Sequence, residues 1–449
     1  MSNLTAFLSR LRESSSLPCM DCGDGRYLYT DLLNEISRWQ SRLEESQVVP
    51  GAVIGVRASC TLYSAAALFA LMERGSIAAL IPNSGDTHRY LHDAHATALL
   101  DLSTDGQHKL TSLGRPSTHP LIERLRSDGQ GGLVVFTSGS TGRPKAALHS
   151  AERFLQKFSS RCRQYRTLMF LVFDHIAGLD TMFYTLAAGG VIIPAERRDP
   201  RSILELIESR SVEVLPTSPS FLRMLCAFAD IEKYDLSSLR IITYGSELMD
   251  ATTISRVKSL LPHVEILQKY GTTETGSPRS DSRDGNSLWI KFKAAGCETK
   301  VVDDILWIRD DGAVLGYLNA PSPISDEGWY CTGDLVDVDG DWLRFRGRVS
   351  DLINVAGEKV APAEVEEVIL ELDFVSNSVV RGEPHAILGE VVTAEASLLR
   401  KLPDSREFAA RIREHCRRRL PAYKVPVKIE IVDDVALSQR QKLKRRTQS

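Results

Sequence analysis

The stretch Leu133-Val-Val-Phe-Thr-Ser-Gly-Ser-Thr-Gly-Arg-Pro-Lys145 decides how the rest of the chain is read. The apolar run Leu133–Phe136 reads as a buried strand, and it empties into a turn packed with hydroxyls, two glycines and a lysine. Such a turn offers backbone N–H groups and hydroxyl donors to an anion. Gly139 and Gly142 let the backbone approach a phosphate with no Cβ in the way. Lys145 adds a point charge. A polyphosphate is the ligand that would use all of these groups. The turn is not a Walker A loop, which needs Gly-Lys-Ser/Thr opening a helix; here Pro144 stands between Gly142-Arg143 and Lys145. The plain alternative is a flexible Ser/Gly linker, but linkers rarely follow directly on a buried-type strand.

Outward from this turn, helix and strand patterns alternate. Upstream lie the helices Tyr27–Glu45 and Ser64–Arg74 and the strands Ala52–Arg57 and Ile77–Ile81. Downstream the strands Thr167–Phe173, Gly190–Pro194, Val212–Pro216, Leu239–Tyr244 and Val264–Tyr270 are separated by helices such as Pro200–Ser209, Ser218–Phe228 and Ala251–Leu261. That alternation predicts a parallel sheet covered by helices. After about residue 285 short strands with Asp-Gly turns take over and predict a small β-rich layer. Gly347-Arg348 leads into a final stretch of amphipathic helices, Pro362–Leu372 and Asp404–Leu420, and strands. The fold class is therefore α/β: a large N-terminal domain, residues 1–347, of parallel-sheet αβα layers plus a β-rich layer, and a small α+β C-terminal domain, residues 348–449.

Composition removes several function classes. The net charge of −3 gives no basic surface for a nucleic acid, and no apolar run is long enough to span a membrane. Met1–Arg12 reads as a short amphipathic helix without the charged-then-apolar order of a signal peptide, so a cytoplasmic protein is expected. Only Cys19 and Cys22 are close among eight cysteines, and no second pair at zinc spacing accompanies them; free thiols are expected.

Other constellations are ambiguous one by one. Gln268-Lys-Tyr-Gly-Thr-Thr-Glu-Thr-Gly276 follows a strand, and ligands of open α/β sheets sit beyond the carboxyl ends of strands. Glu274 among small hydroxyl residues suits a hard cation, or equally a helix N-terminus. Asp334 in Tyr330-Cys-Thr-Gly-Asp-Leu335 could accept two ribose hydroxyls or close a β-turn. The tail Leu437–Thr447 is either a solvated basic tail or the carrier of one lysine that acts as a reagent.

Taken in order, these stretches resemble the adenylate-forming superfamily of acyl- and aryl-CoA synthetases, adenylation domains and luciferases. The likeness runs from about residue 25 to the end, on Thr137–Lys145, Tyr270–Gly276, Tyr330–Asp334 and Gly347–Lys359 with Pro362–Glu366. It implies that Thr137, Ser138, Gly139, Ser140, Thr141, Gly142 and Lys145 cradle the β- and γ-phosphates of ATP. Thr273 would meet the α-phosphate and Glu274 a Mg²⁺ ion. Tyr244, Gly245, Ser246 and Glu247 match the adenine-contacting segment, with Tyr270 stacking nearby beside Gly271 and Thr272; Asp334 and Arg348 would hold the ribose. Lys442 falls on the lysine that drives adenylation, although Gln441 stands where the family has glycine and Lys444 lies two residues on. The resemblance further implies a mobile C-terminal domain hinged at Ser350, where the family often has Asp or Lys, which brings the Gly357 and Lys359 segment to the site for thiol transfer.

Phe173–Asp180 aligns, His175 first, with the family's gate to the carboxylate pocket, and its spacing to Met182-Phe183 resembles CoA ligases more than amino-acid adenylation domains. His175 as a plain core histidine is the alternative. Ile176, Ala177 and Gly178, with Tyr244, Gly245 and Gly271, would line a pocket roomy enough for an aryl or medium acyl group. The expected activity is an acid–CoA ligase that uses ATP, Mg²⁺ and coenzyme A. The alternatives are a ligase loading the phosphopantetheine of a carrier protein and a nucleotide-binding protein without catalysis.

Overall fold

The computed structural model describes residues 2–435 other than 24, 115–117, 138–142, 161, 285–286, 294–295, 400–404 and 434. Ser138, Gly139, Ser140, Thr141, Gly142 and Lys442 therefore lie outside the described residues.

The α/β reading holds, with two parallel-cored sheets where the strand alternation had suggested one. In the first sheet, Ala98–Leu102, Val53–Arg57, Ile77–Leu80 and Gly132–Thr137 run parallel. Antiparallel edges are added by His108–Ser112 on one side and by Lys145–Ser150 and Gly316–Tyr317 on the other. In the second, Glu265–Gln268, Ile241–Tyr244, Val214–Thr217, Arg166–Met169, Val191–Pro194 and Pro18–Cys22 run parallel. Gly25–Leu28 turns back as an antiparallel edge. Strands buried on both faces read as unbroken apolar runs, and Ile77-Ala-Ala-Leu80 is buried at every position.

The helix Leu62–Glu73 is apolar on all sides and buried along ten of its residues, which a helix tolerates only when both faces are covered. It shares one core with residues of both sheets, among them Ile54, Val135, Met20 and Ile192, and with Ile176–Ala187. The N-terminal strand is stapled into the second sheet by charge. The buried Asp21 carboxylate accepts from Arg166 at 2.6 Å and Arg210 at 2.9 Å, and pairs with Arg26 at 3.2 Å. A buried carboxylate is tolerable only with such partners.

Several expected boundaries move; Val264–Tyr270, for example, is a strand only over Glu265–Gln268. The helix predicted from Tyr27 starts at Tyr29, because Gly25–Leu28 pairs with Pro18–Cys22 as a hairpin. The strand predicted over Thr167–Phe173 ends at Met169, where its neighbour ends at Pro194 and no ladder partner remains. The β-rich layer is a six-stranded antiparallel sheet, and the C-terminal domain is a five-stranded sheet covered by Pro362–Leu370 and Ser405–Arg419 with its own core. Polar side chains cross between the two domains, among them Glu367, which accepts from the Ala251 backbone. Arg256 on Ala251–Leu260 donates to the carbonyls of Leu370, Leu372 and Val375 at 3.1–3.3 Å, at the carbonyl-rich end of Pro362–Leu370.

Candidate active site

Tyr244 and Gln268 are partners in register at the carboxyl ends of adjacent parallel strands, so the loops that follow them leave the sheet side by side. Lys269 N–H donates to the Tyr244 carbonyl at 2.8 Å and ties them together. Between these loops and the start of Ile176–Ala187 lies a cavity of about 240 Å³, whose lining includes His175, Ile176, Ala177, Tyr244, Gly245, Ser246 and Gly271. Close backbone approach explains two of its glycines. A Cβ at Gly245 would lie 2.5 Å from the Lys269 carbonyl oxygen, and one at Gly271 2.5 Å from that of Gly276. Ser246 holds φ at +71°, a left-handed conformation that serine adopts rarely.

His175 faces the cavity and is not a plain core residue; its Nδ1 also accepts from Ala177 N–H at 3.3 Å and caps the helix. Gly178 corrects the sequence reading. It is buried and does not line the cavity, since a Cβ there would sit 1.9 Å from the Val172 carbonyl oxygen. Its smallness lets the first turn of the helix pack on the preceding loop. Glu247 turns aside as well: its carboxylate accepts from Ser220 N–H at 3.1 Å and Ser220 Oγ at 2.7 Å.

The Gln268–Gly276 segment forms a closed turn, with no helix after it, so Glu274 is not a helix cap. Thr272 N–H donates to Gly276 at 3.0 Å and Thr275 N–H to Thr272 Oγ1 at 3.1 Å. Thr272, Thr273 and Glu274 are buried, and Tyr317 Oη donates to Glu274 Oε1. Burial, then the neighbouring Glu274 carboxylate, pushes the Tyr317 pKa up. The strand Gly316–Tyr317 pairs with Lys145–Ser150, and the Lys145 ammonium stands 5.0 Å from the Tyr317 ring centroid. Tyr317 thus joins the base of the hydroxyl-rich turn to the acidic loop. Thr137 and Lys145 are a register pair at that base.

Asp334 and Arg348 are register partners on adjacent antiparallel strands, Tyr330–Asp339 and Trp342–Arg348. Arg348 Nε donates to Asp334 Oδ1 at 2.7 Å, and Tyr270 Oη to Oδ2 at 2.6 Å. Asp334 therefore lies inside a strand, one residue after Gly333 at φ +69°, and does not close a β-turn. Burial disfavours the Arg348 charge, but Asp334 outweighs it and the pKa rises. The Tyr270 ring stacks on Phe345 at 4.5 Å and 8°. Tyr330 hydrogen-bonds Glu274, and its pKa is raised by burial and then by Glu274.

Gly357 and Lys359 lie in an exposed hairpin of the C-terminal domain, Gly357 at φ +96°, and Ser350 in a short 3₁₀ turn before it. Among the described residues no hydrogen bond or ion pair joins Gly357 or Lys359 to the cavity lining.

Sequence reasoning missed Tyr317, Tyr330 and His149. His149 is fully buried next to the Thr273 backbone, and burial, helped by Lys157, pushes its pKa down to about 4. The signal was present in the buried run Ala146–Ser150. The sign is fixed. Below the ordinary value of about 6.5, the unfolded chain takes up a proton that the folded protein refuses, so stability falls as pH drops towards 4. Between pH 7 and 5 this residue should cost the wild type about 2 kcal/mol. A His149→Gln variant should lose that slope, read from denaturant midpoints at the two pH values; an unchanged slope would refute the assignment.

Residues 9–318 match the family described as AMP-binding enzyme, and residues 364–442 match AMP-binding enzyme C-terminal domain. The chain is similar to a methyl-dioxo-octahydroindenyl-propanoyl:CoA ligase of Rhodococcus jostii (strain RHA1), 26% identical with 94% of this chain and 93% of that one covered. It is also similar to 2-succinylbenzoate–CoA ligase of Bacillus pumilus (strain SAFR-032), 25% identical over 94% and 92%. Among solved structures, the anthranilate CoA ligase AuaEII in complex with anthranoyl-AMP superposes with a TM-score of 0.84 at 21% identity, covering 99% of this chain and 95% of that one. At that identity the likeness speaks for the fold alone.

Proposed function

Because the chain belongs to the AMP-binding enzyme family, we propose that it is an acid–CoA ligase, which activates a carboxylic acid with ATP and hands the acyl group to coenzyme A. In the first step a carboxylate oxygen bonds to the α-phosphorus and the α–β bridging bond breaks, leaving an acyl-adenylate and pyrophosphate. In the second, the CoA sulfur bonds to the acyl carbon, the thiol proton is lost and AMP leaves. The observation that carries this reading is the convergence of Lys145, Glu274 and the Asp334–Arg348 pair beside a cavity walled by His175 and Ala177.

The residues divide by chemistry. Lys145 would neutralise phosphate charge, Thr273 would donate to the α-phosphate, and Lys442 would bridge the reacting oxygens. Asp334 would exchange its Tyr270 and Arg348 hydrogen bonds for ribose hydroxyls. A buried carboxylate flanked by threonine hydroxyls fits a Mg²⁺ ion, which is commonly bound by one or two carboxylates plus phosphates. Glu274 would hold it, and when bound it offsets phosphate charge. Residues 1–347 and 348–449 would act as separate bodies that turn about Ser350, so that Lys442 and the Gly357–Lys359 hairpin alternate at the site.

The test is acid-dependent ATP–pyrophosphate exchange over a panel of aryl, short, medium and long acids. Lys442→Ala is expected to lower exchange on the order of 100-fold or more; unchanged exchange would sink the proposal. Acyl-CoA formation upon adding CoA supports the thiol acceptor, whereas adenylate that CoA leaves intact turns the reading towards a carrier protein.

A further inference from the structure

The acid cavity carries charge that an apolar substrate would leave without a partner. Its titratable lining includes Lys157, Lys269, Arg279 and Asp180. Lys157 and Asp180 are in direct ionic contact. Lys157 also lies over the rings of Phe154 and Phe158, at 4.8 and 5.1 Å. That pair closes on itself and leaves two cations, Lys269 and Arg279, in excess. Arg279 Nη2 donates to the Lys157 carbonyl at 3.1 Å and stays exposed.

Lys269 is placed by the fold. It is the first residue beyond the strand Glu265–Gln268, and its N–H is fixed on the Tyr244 carbonyl, so its side chain enters the cavity wall between the two loops that form the site. It is exposed to solvent, while the protein packed around it lowers its pKa, an effect that Asp180, Asp281 and Glu265 only partly oppose. Among the described residues its ammonium has no carboxylate within ion-pair distance. Lining the cavity and open to solvent, that ammonium is in reach of an anionic ligand entering the cavity, which would gain a charge-assisted contact.

We propose that the acid this enzyme activates carries a second anionic group, a carboxylate, which Lys269 binds while the first carboxylate meets ATP. The inference rests on reading this cavity as the acid pocket. The excess of positive charge speaks against an amine-bearing acid. Asp180, the group that would receive an ammonium, is already in contact with Lys157, and Lys269 adds a further positive charge beside it. Phe158, Ile176, Val214 and Leu267 on the remaining wall would cover the chain or ring between the two carboxylates.

The experiment compares matched acids in acyl-CoA formation: adipate against hexanoate and isophthalate against benzoate. In at least one pair the wild type is expected to favour the diacid by tenfold or more in kcat/KM, as an order-of-magnitude figure for one charge-assisted contact. Preference for the monoacid in both pairs overturns the proposal. Lys269→Met is expected to raise KM for the diacid by roughly 10- to 100-fold while leaving the monoacid unchanged or improved, and Lys269→Arg to keep the diacid preference. Equal losses on both members of a pair in Lys269→Met, with no recovery in Lys269→Arg, would make Lys269 merely structural and also overturn it. If no acid at all supports pyrophosphate exchange, the ligase reading fails instead, and the two failures are distinguishable.

Discussion

Glu274→Gln is expected to lower acid-dependent pyrophosphate exchange by roughly 100- to 1000-fold without unfolding the protein. Glutamine keeps the volume of glutamate, and its amide oxygen can still accept the Tyr317 hydroxyl, so the turn from Thr272 to Gly276 retains its supports. What the substitution removes is one negative charge in a buried site, where an electrostatic interaction is screened less than in water. If that charge holds a cation against the phosphates, the loss appears as a higher requirement for added magnesium as well as a lower rate. Tyr317→Phe is the companion variant. It keeps the ring under Lys145 and removes only the hydroxyl, and should cost much less, about tenfold. Exchange within threefold of wild type in Glu274→Gln would show that this carboxylate belongs to the architecture and not to the chemistry.

The second large effect falls on stability. Arg223→Ala should destabilise the N-terminal domain by about 3–5 kcal/mol, because it strands a buried carboxylate. Arg223 and Asp250 have side chains only 6% exposed, and Arg223 Nε and Nη2 both donate to Asp250 Oδ2, at 3.1 and 2.9 Å. Asp250 also accepts from Thr253 N–H and Oγ1, each at 2.7 Å, and so starts the helix Ala251–Leu260. Burial opposes the Asp250 charge, but Arg223 and Thr253 overcome it and hold the pKa down. A carboxylate with a lowered pKa stabilises the fold above its ordinary value near 3.9 and loses that contribution as acid titrates it. The consequence reaches further than one helix end. The same helix carries Arg256, which grips the end of Pro362–Leu370 in the C-terminal domain. Urea unfolding should show a lower midpoint for the first transition. The double variant Arg223→Met with Asp250→Ser should recover part of the loss, since serine still caps and no buried charge remains. A single variant within 1 kcal/mol of wild type would contradict the assignment.

Much of the candidate site could be proposed from the sequence because its signals are local. Thr137 and Lys145 flank a run of residue types that a phosphate site would use, Tyr270–Gly276 is a short run after a strand, and Tyr330–Asp334 opens one. Each could be read from neighbours in the chain, and their order supplied the family. Tyr317 had no such signal. Its partners, Glu274 and Lys145, are distant in sequence, and nothing near a single tyrosine in Gly316-Tyr317-Leu318 says that its hydroxyl meets a carboxylate. Gly178 went the other way. A small residue in a gate segment invites a pocket reading, and only the position of the Val172 carbonyl shows that the lack of a Cβ serves packing.

By itself the sequence determined the element types, the α/β class, the family and the placement of its motifs on strand ends, since periodicity, turn residues and short motifs act over a few residues. Tertiary structure alone decided that there are two parallel-cored sheets, that Pro18–Cys22 joins the second through Asp21, that Asp334 faces Arg348 across a ladder, and that Lys269 lines the cavity between the two loops. Those outcomes depend on pairing, register and burial between residues remote in the chain, and such energies exist only once the chain has closed on itself.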